Sequence, residues 1–341
     1  MGSVKDLTVI KKPEDDRTGI GRFLFSDRYS VFDYGEMPDL IENKGKALCL
    51  ISAYFFEILE KDGISTHYIG LVEEEKAKRL DELDGAVNEM EVRLVRVVEP
   101  ERTGSGYDYS IFKNLNGNYL IPLEVIYRNS LPEGSSVFRR LRKGEIGPED
   151  LGLTEIPTPG SRLEKPVIDF STKLEDTDRY LRRREALEIS GLSEEEFEEL
   201  AELAEKIDRI ITEEVGKAGI ENLDGKVEFA LDENRKLMLV DAVGTPDECR
   251  FSFDGIEMSK EILRKFYRKT EWYRLVEKFK GEENWRGHAG KPPKLPEDLK
   301  NAVSEMYMSA CNEITGMKFF DTPSLKDVMK KISEFMEVYD G

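Results

Sequence analysis

The chain has 341 residues, enough for two domains or lobes at a prior of roughly 150 residues each and far too many for a disulfide-stapled miniprotein. Apolar residues make up 39% and charged residues 35%, too hydrophobic for a disordered chain and too charged for a membrane-embedded one. With 51 Lys and Arg against 70 Asp and Glu, the net charge of −19 repels duplex phosphates and argues against nucleic acid as the main partner.

The three cysteines, Cys49, Cys249 and Cys311, are far apart and sit in apolar or helical surroundings, so they read as reduced thiols of a cytoplasmic protein. His67 and His288 share no short motif, which leaves little material for a histidine zinc site or a serine-hydrolase triad. Any metal is expected on carboxylates. Met1 to Asp6 lacks the apolar run of a signal peptide, and no stretch is long enough to span a membrane.

In chain order, Arg22 to Asp33 is rich in aromatic and β-branched residues and predicts a strand leading into a turn, with Gly19 and Gly21 marking a turn before it or a lid over phosphates. From Lys46 to Lys61, Leu48, Ile51, Phe55 and Leu59 recur at helical spacing, and Asp62-Gly63 ends the helix. Met90 to Val98 alternates as a half-buried strand does. Tyr119 to Tyr127 is a second strand, broken by Pro122. The polar residues 99 to 118 between them hold Gly104-Ser-Gly106, a flexible hairpin tip rather than a phosphate loop. Arg139 to Ser171, with four prolines, predicts loops with one short helical turn. Ser193 with Glu196 forms a capping box, and Phe197, Leu200, Ala204, Ile207 and Ile211 line one face of the helix that follows. Two further helices follow Pro296 and Ser324, the first preceded by a Trp-containing loop from Gly281 to Lys294. The stripe Met329, Ile332, Phe335 and Met336 would pack in the monomer or across a homo-oligomer contact.

Chemistry concentrates in Asp224 to Asp241, which reads as strand, polar turn, strand. A turn centred between Asn234 and Arg235 places Glu228 opposite Asp241, with Lys226 on the same face and Val227, Phe229, Leu231, Met238 and Val240 on the other. Two facing carboxylates repel unless a cation joins them. Mg²⁺ is the hard, oxygen-seeking choice, and Lys226 would meet a phosphate as a point charge. On this pattern alone a solvated hairpin with a surface Lys-Glu-Asp cluster is the favoured account. The continuation through Thr245-Pro-Asp247 to Arg250 adds an acid and a base at a strand end.

Several blocks then share one order. Asp27-Arg-Tyr-Ser30-Val-Phe-Asp33, Asn43-Lys-Gly-Lys-Ala-Leu, Pro122-Leu-Glu-Val-Ile-Tyr-Arg128 with Gly134-Ser135, Ser171-Thr172-Lys173, Lys226-Val-Glu-Phe, Asp241 to Arg250, Pro292-Pro-Lys-Leu-Pro and Thr315-Gly316 resemble the motifs of the SAICAR synthetase family. The resemblance runs from about residue 20 to 320, with residues 99 to 118 looking inserted. It implies an α+β fold with a β-rich nucleotide-binding lobe over residues 1–119, a larger α/β lobe over 120–341, and ATP in the cleft between them. It implies, further, that Glu228 and Asp241 bind Mg²⁺ with ATP, that Lys226 contacts the phosphates, and that the Pro122-to-Val125 strand, through Glu124 and Val125, lines the adenine hinge. Arg128, Ser135, Asp247 and Arg250 would face a ribonucleotide, and Asp33 with Ser30 would lie near substrate carboxylates. Lys226, Asp33 and Asp247 would carry the catalysis. The implied reaction joins L-aspartate to the carboxylate of carboxyaminoimidazole ribonucleotide, with ADP and phosphate released.

The chain also departs from that pattern. The family's opening Gly-Lys-Val-Arg block has no clear counterpart, and Lys11, Lys12 or Arg22 would substitute for its lysine in space. An acid that follows Asp241 in the family is Ala242 here, Thr177-Asp178-Arg179 replaces His-Asp-Glu, and Glu248-Cys249 replaces two serines before Arg250. These departures keep open a ligase for another carboxylate or amine, a phosphotransferase, and a nucleotide-binding protein without catalysis. Cys249 has no neighbouring base and reads as structural, and Arg182-Arg-Arg184 as a solvated helix end.

Overall fold

The computed structural model describes residues 4–104, 106–282 and 284–340. Strands β1 (Lys5–Lys11) and β2 (Gly19–Phe25) pair antiparallel and lead into helix α1 (Lys44–Lys61). Strands β3 (Tyr68–Glu73), β4 (Lys76–Lys78) and β5 (Glu89–Leu94) complete an antiparallel sheet of order β1-β2-β5-β3-β4. Gly19 and Gly21 lie inside β2 rather than in a turn or lid. A Cβ on Gly19 would stand 2.3 Å from the Lys11 carbonyl, so close strand packing accounts for it.

A small hairpin, β6 (Glu101–Thr103) and β7 (Gly106–Asp108), occupies the inserted stretch; Ser105 at its tip lies outside the described residues. The second sheet is built from β8 (Tyr119–Leu131), β9 (Ser161–Thr172), β10 (Tyr180–Leu181), β11 (Ile220–Leu231), β12 (Leu237–Val240), β13 (Cys249–Phe253) and β14 (Ile256–Met258). Its order is β10-β9-β8-β11-β13-β14, with β12 on the far half of β11. Between these strands come α2 (Ser136–Arg142), α3 (Arg183–Ser190) and α4 (Glu194–Lys217). After them come α5 (Glu261–Arg268), α6 (Glu271–Phe279), α7 (Trp285–Ala289), α8 (Glu297–Thr315) and α9 (Leu325–Asp340). This is an α+β fold.

Two expectations fail here for one reason. Pro122 does not break its strand, and residues 161–172 form a long strand where loops were expected. Proline lacks the N–H that a ladder needs and is tolerated where the ladder bulges. The β8/β11 register shifts between Glu228 and Ala230, opposite Pro122, and the β8/β9 register shifts between Arg128 and Ser130, opposite the segment holding Pro166. Both prolines sit in bulges. The helix after Ser193 forms as expected, with the Ser193 hydroxyl accepting from Glu196 N at 3.2 Å and the Glu196 carboxylate accepting from Ser193 N at 2.8 Å. Met329, Ile332 and Met336 of α9 belong to the main hydrophobic core.

Helix α1 is buried nearly all round, and its core is continuous with both sheets. The sheets are also joined through the backbone. Ser65 and His67 bond to Leu239 of β12 on one side, and Arg93 of β5 bonds to His67 on the other. The β12–β13 connection is tied to α1, because Val243 N donates to Ser52 Oγ at 3.1 Å and Gly244, at φ 69°, packs on Phe55. A Cβ on Gly244 would lie 2.1 Å from that ring. Gly244→Ala is therefore expected to cost about 2 kcal/mol or more, from the left-handed backbone together with overpacking. Chemical denaturation of the two proteins measures it.

Candidate active site

The 224–241 segment is a hairpin, but its register differs by one residue from the sequence reading. Glu228 pairs with Val240, Ala230 with Met238 and Leu231 with Leu237. The turn is a three-residue loop, Glu233 to Arg235, in which Arg235 takes a left-handed φ of 62° and the Asp232 carboxylate accepts from Asn234 N and Lys236 N at 2.8 Å each. As a result, Met238 and Val240 share a small apolar cluster with Ala230, while Leu237 and Leu239 join Val227 and Phe229 in the main core. Asp241 lies one residue past β12, and its own left-handed backbone, φ 68°, turns it back towards Glu228 and Lys226.

What forms is a compact charge cluster in a cleft of about 520 Å³. Lys226 Nζ bonds to Glu228 and stands 3.1 Å from Glu248 Oε2, 3.5 Å from Glu124 Oε1 and 3.8 Å from Asp241 Oδ2. Lys173 Nζ lies 2.7 Å from Glu228 Oε1, and Lys5 pairs with Asp241. Burial alone would depress the Lys226 ammonium, but Glu228, Glu248, Asp241 and Glu124 hold it well above its ordinary value. Burial raises Glu228, a shift that Lys226 opposes and Asp241 reinforces. Asp241 goes the other way: burial would raise it, yet Lys5, Lys226 and Lys173 hold it well below the usual carboxylate range.

At the other end of the cleft stand Asp247, Arg250, Lys260 and Arg264, and Arg250 and Arg264 also line an adjoining cavity of about 660 Å³. Arg250 Nε is 3.7 Å from Asp224 Oδ1, and Arg264 NH1 is 3.3 Å from Glu261 Oε2. One end is thus carboxylate-rich and lysine-balanced, and the other is lined by cations.

Six of the expected residues line the first cavity or its floor: Lys226, Glu124, Glu228, Asp241, Asp247 and Arg250. Asp33 lines the adjoining cavity, exposed, with its carboxylate 3.1 Å from Lys280 Nζ. Ser30 is half-buried and lines neither. Arg128 is buried behind the cleft and paired with Asp169 at 3.1 Å, while Ser135 spends its hydroxyl as the cap of α2. Val125 is a fully buried core residue on a strand paired on both sides, so neither its side chain nor its backbone edge is open to an adenine ring. Lys11 and Lys12 are exposed and Arg22 bonds to Glu75 and Glu91; none of the three lines the cleft.

Lys5 does line the cleft, paired with Asp241. The spacing of Gly2-Ser3-Val4-Lys5, glycine, any residue, valine, base, was the signal that could have found it. Lys173, Lys260 and Arg264 were also missed as site residues; only Lys173 lay in a quoted motif. Cys249 is buried at 3.1 Å from the Tyr127 hydroxyl, and burial pushes its thiol up, as a structural role requires. Arg183 and Arg184 pair with Glu198 and Glu188, and Arg182 donates to the Glu145 carbonyl.

The chain has relatives among known proteins. The family model for SAICAR synthetase matches residues 2–278. A putative phosphoribosylaminoimidazole-succinocarboxamide synthase of Archaeoglobus fulgidus is 63% identical over 337 residues, covering 99% of this chain and 100% of that protein. The phosphoribosylaminoimidazole-succinocarboxamide synthase of Thermoplasma volcanium is 36% identical, covering 93% and 98%. Among solved structures, the SAICAR synthase of Saccharomyces cerevisiae complexed with SAICAR superimposes with a TM-score of 0.64 at 24% identity, covering 94% of this chain and 95% of that one. A SAICAR synthetase in complex with ADP gives 0.55 at 23% identity, covering 86% and 99%, and both structures speak for the shared fold. On the family match and the two sequence relatives, the chain belongs to the SAICAR synthetase family of ligases.

Proposed function

We propose that this chain joins L-aspartate to the carboxylate of carboxyaminoimidazole ribonucleotide at the expense of ATP, with the nucleotide phosphates at the lysine end of the cleft and the anionic substrates at the arginine end. The observation that carries the assignment of ends is the Lys226 cluster, where half-buried lysines face carboxylates carried by β8 and β11 and by the residue just past β12. ATP transfers its terminal phosphoryl group to a carboxylate oxygen and ADP leaves. The aspartate amine then attacks the acyl carbon of the resulting acyl phosphate, the C–N bond forms, the C–O bond to phosphate breaks, and the amine gives up a proton.

Mg²⁺ fits the donor set. Glu228 and Asp241 are hard oxygen ligands whose charges lysine ammonium groups now balance, and Mg²⁺ is commonly held by one or two carboxylates plus nucleotide phosphates and water. Among the described residues no cluster of three or more His, Cys, Asp or Glu is arranged to hold a metal alone, so the phosphates would complete the shell. Bound there, the ion would neutralise developing phosphate charge. Lys226 and Lys173 orient the phosphates by exchanging a carboxylate partner for a phosphate oxygen. Arg250 and Arg264 hold anionic groups with forked donors.

Three outcomes test this reading. Glu228→Gln and Asp241→Asn should weaken Mg²⁺·ATP by more than about tenfold in titration calorimetry while the melting curve stays cooperative; unchanged affinity in both refutes the metal assignment. With ATP, aspartate and the ribonucleotide, the protein should release phosphate and amide in equal amounts, whereas a phosphoester product would identify a phosphotransferase. Glu248→Ser should lower the KM for ATP a few-fold, because Lys226 loses a competitor for phosphate at 3.1 Å; a raised KM would show that Glu248 itself supports the nucleotide.

A further inference from the structure

Asp247 lines the cleft, yet its side chain is only 3% exposed, and the two partners that grip it come from distant elements. Lys44, in the first turn of α1, is 0% exposed and puts Nζ 2.8 Å from Asp247 Oδ2. Tyr307, on α8, donates its hydroxyl to Oδ1 at 2.8 Å, and the Lys44 ammonium lies 5.5 Å from the centroid of that same ring. Asp27 holds the start of α1, accepting from Gly45 N at 2.9 Å, so Lys44 is delivered from a fixed backbone. Removing an ammonium completely from water is expensive, and Asp247 is its one carboxylate partner within 4 Å among the described residues. A carboxylate can accept about four hydrogen bonds. Lys44 and Tyr307 use one on each oxygen and leave the others to the cleft.

We propose, resting on the ligase reading above, that Lys44 and Tyr307 are positioning residues that lock Asp247 as a fixed, ionised acceptor for a substrate N–H or O–H group. Asp247 then binds and orients substrate and transfers no proton, unlike the catalytic part expected from sequence. The electrostatics agree. Burial alone would raise the Asp247 carboxyl, but Lys44, Lys260 and the Tyr307 hydroxyl hold it well below the usual range. Burial lowers Lys44, Asp247 opposes that shift, and Lys260 and Asp27 also act on it. Burial pushes the Tyr307 phenol well up, so it stays a donor, with Arg264 of α5 the remaining charge facing it.

Removing either support lets the Asp247 pKa rise, so less of it is ionised at a given pH and activity returns as pH increases. The experiment is amide formation by wild type, Tyr307→Phe and Lys44→Met from about pH 3 to about pH 9, since the Asp247 carboxyl starts well below the usual range. For Lys44→Met, kcat/KM should fall about tenfold or more at neutral pH, and for Tyr307→Phe a few-fold, each with its acid limb displaced to higher pH. A purely structural role would lower activity without moving that limb. If Lys44→Met fails to fold, Tyr307→Phe decides alone. A folded Tyr307→Phe with the wild-type acid limb and wild-type KM overturns the proposal. A wild type that makes no amide overturns the ligase reading instead. Calorimetric binding of the ribonucleotide to both proteins at acid and neutral pH then decides the positioning role, which stands only if Tyr307→Phe loses affinity selectively in acid.

Discussion

The balance of lysine and carboxylate charge around Lys226 is the interaction on which the site depends. Two like charges 4 Å apart repel by about 4 kcal/mol at an effective dielectric constant near 20, so Glu124, Glu228, Asp241 and Glu248 could not be gathered without compensation. Lys226 stands among all four, with Lys173 and Lys5 at the margins. Four carboxylates against three ammonium groups leave the cluster short of positive charge. On the proposed reading, a nucleotide arriving with its own dication would meet that shortage and give the lysines new anionic partners.

The backbone brings this balance about. Asp241 reaches the cluster because a left-handed residue follows β12, and its carbonyl accepts a hydrogen bond at 3.0 Å from the Nε2–H of His67. Burial pulls the His67 pKa down to about 4, so the ring is neutral at working pH and can keep that donor in place. His67 belongs to the segment that stitches the two sheets together through Leu239 and Arg93. The position of a cleft carboxylate therefore depends on the junction between the sheets as well as on its own strand.

The long amphipathic segments were readable from sequence because their periodicity answers to one core: α1, α4, α8 and α9 all follow the spacing of their buried residues. The strand holding Pro166 was not, and the one holding Pro122 was read but taken as broken there, because a bulge is decided by the neighbouring strand and leaves no mark on local composition. The hairpin was read one residue out for a similar reason. Its turn is odd-numbered, closed by the Asp232 side chain, and an even turn fits the same letters. Motif order located Lys226, Glu228 and Asp241, yet it placed Arg128 and Val125 on a surface that the sheet pairing buries. Lys44 lay in a quoted block, Asn43-Lys-Gly-Lys-Ala-Leu, but nothing there tied it to Asp247, and Tyr307 had no signature, since a tyrosine on an apolar stripe is ordinary until the fold brings it to a carboxylate.

The departures from the family pattern divide along the same line between core and cleft. Ala242 is 5% exposed and lies in the main hydrophobic core, pointing away from Asp241. A glutamate there would place a carboxylate among apolar side chains, a change the present packing opposes and one that bears on the core before it bears on ATP. Glu248 is different in kind. It pairs with Lys226 rather than with Arg250, whose own near carboxylate is Asp224, so its charge is met within the lysine cluster. The substitution adds the fourth carboxylate to the lysine end, where a dication would supply the charge to match it. On the proposed reading, Glu248 therefore bears on the nucleotide before it bears on the second substrate.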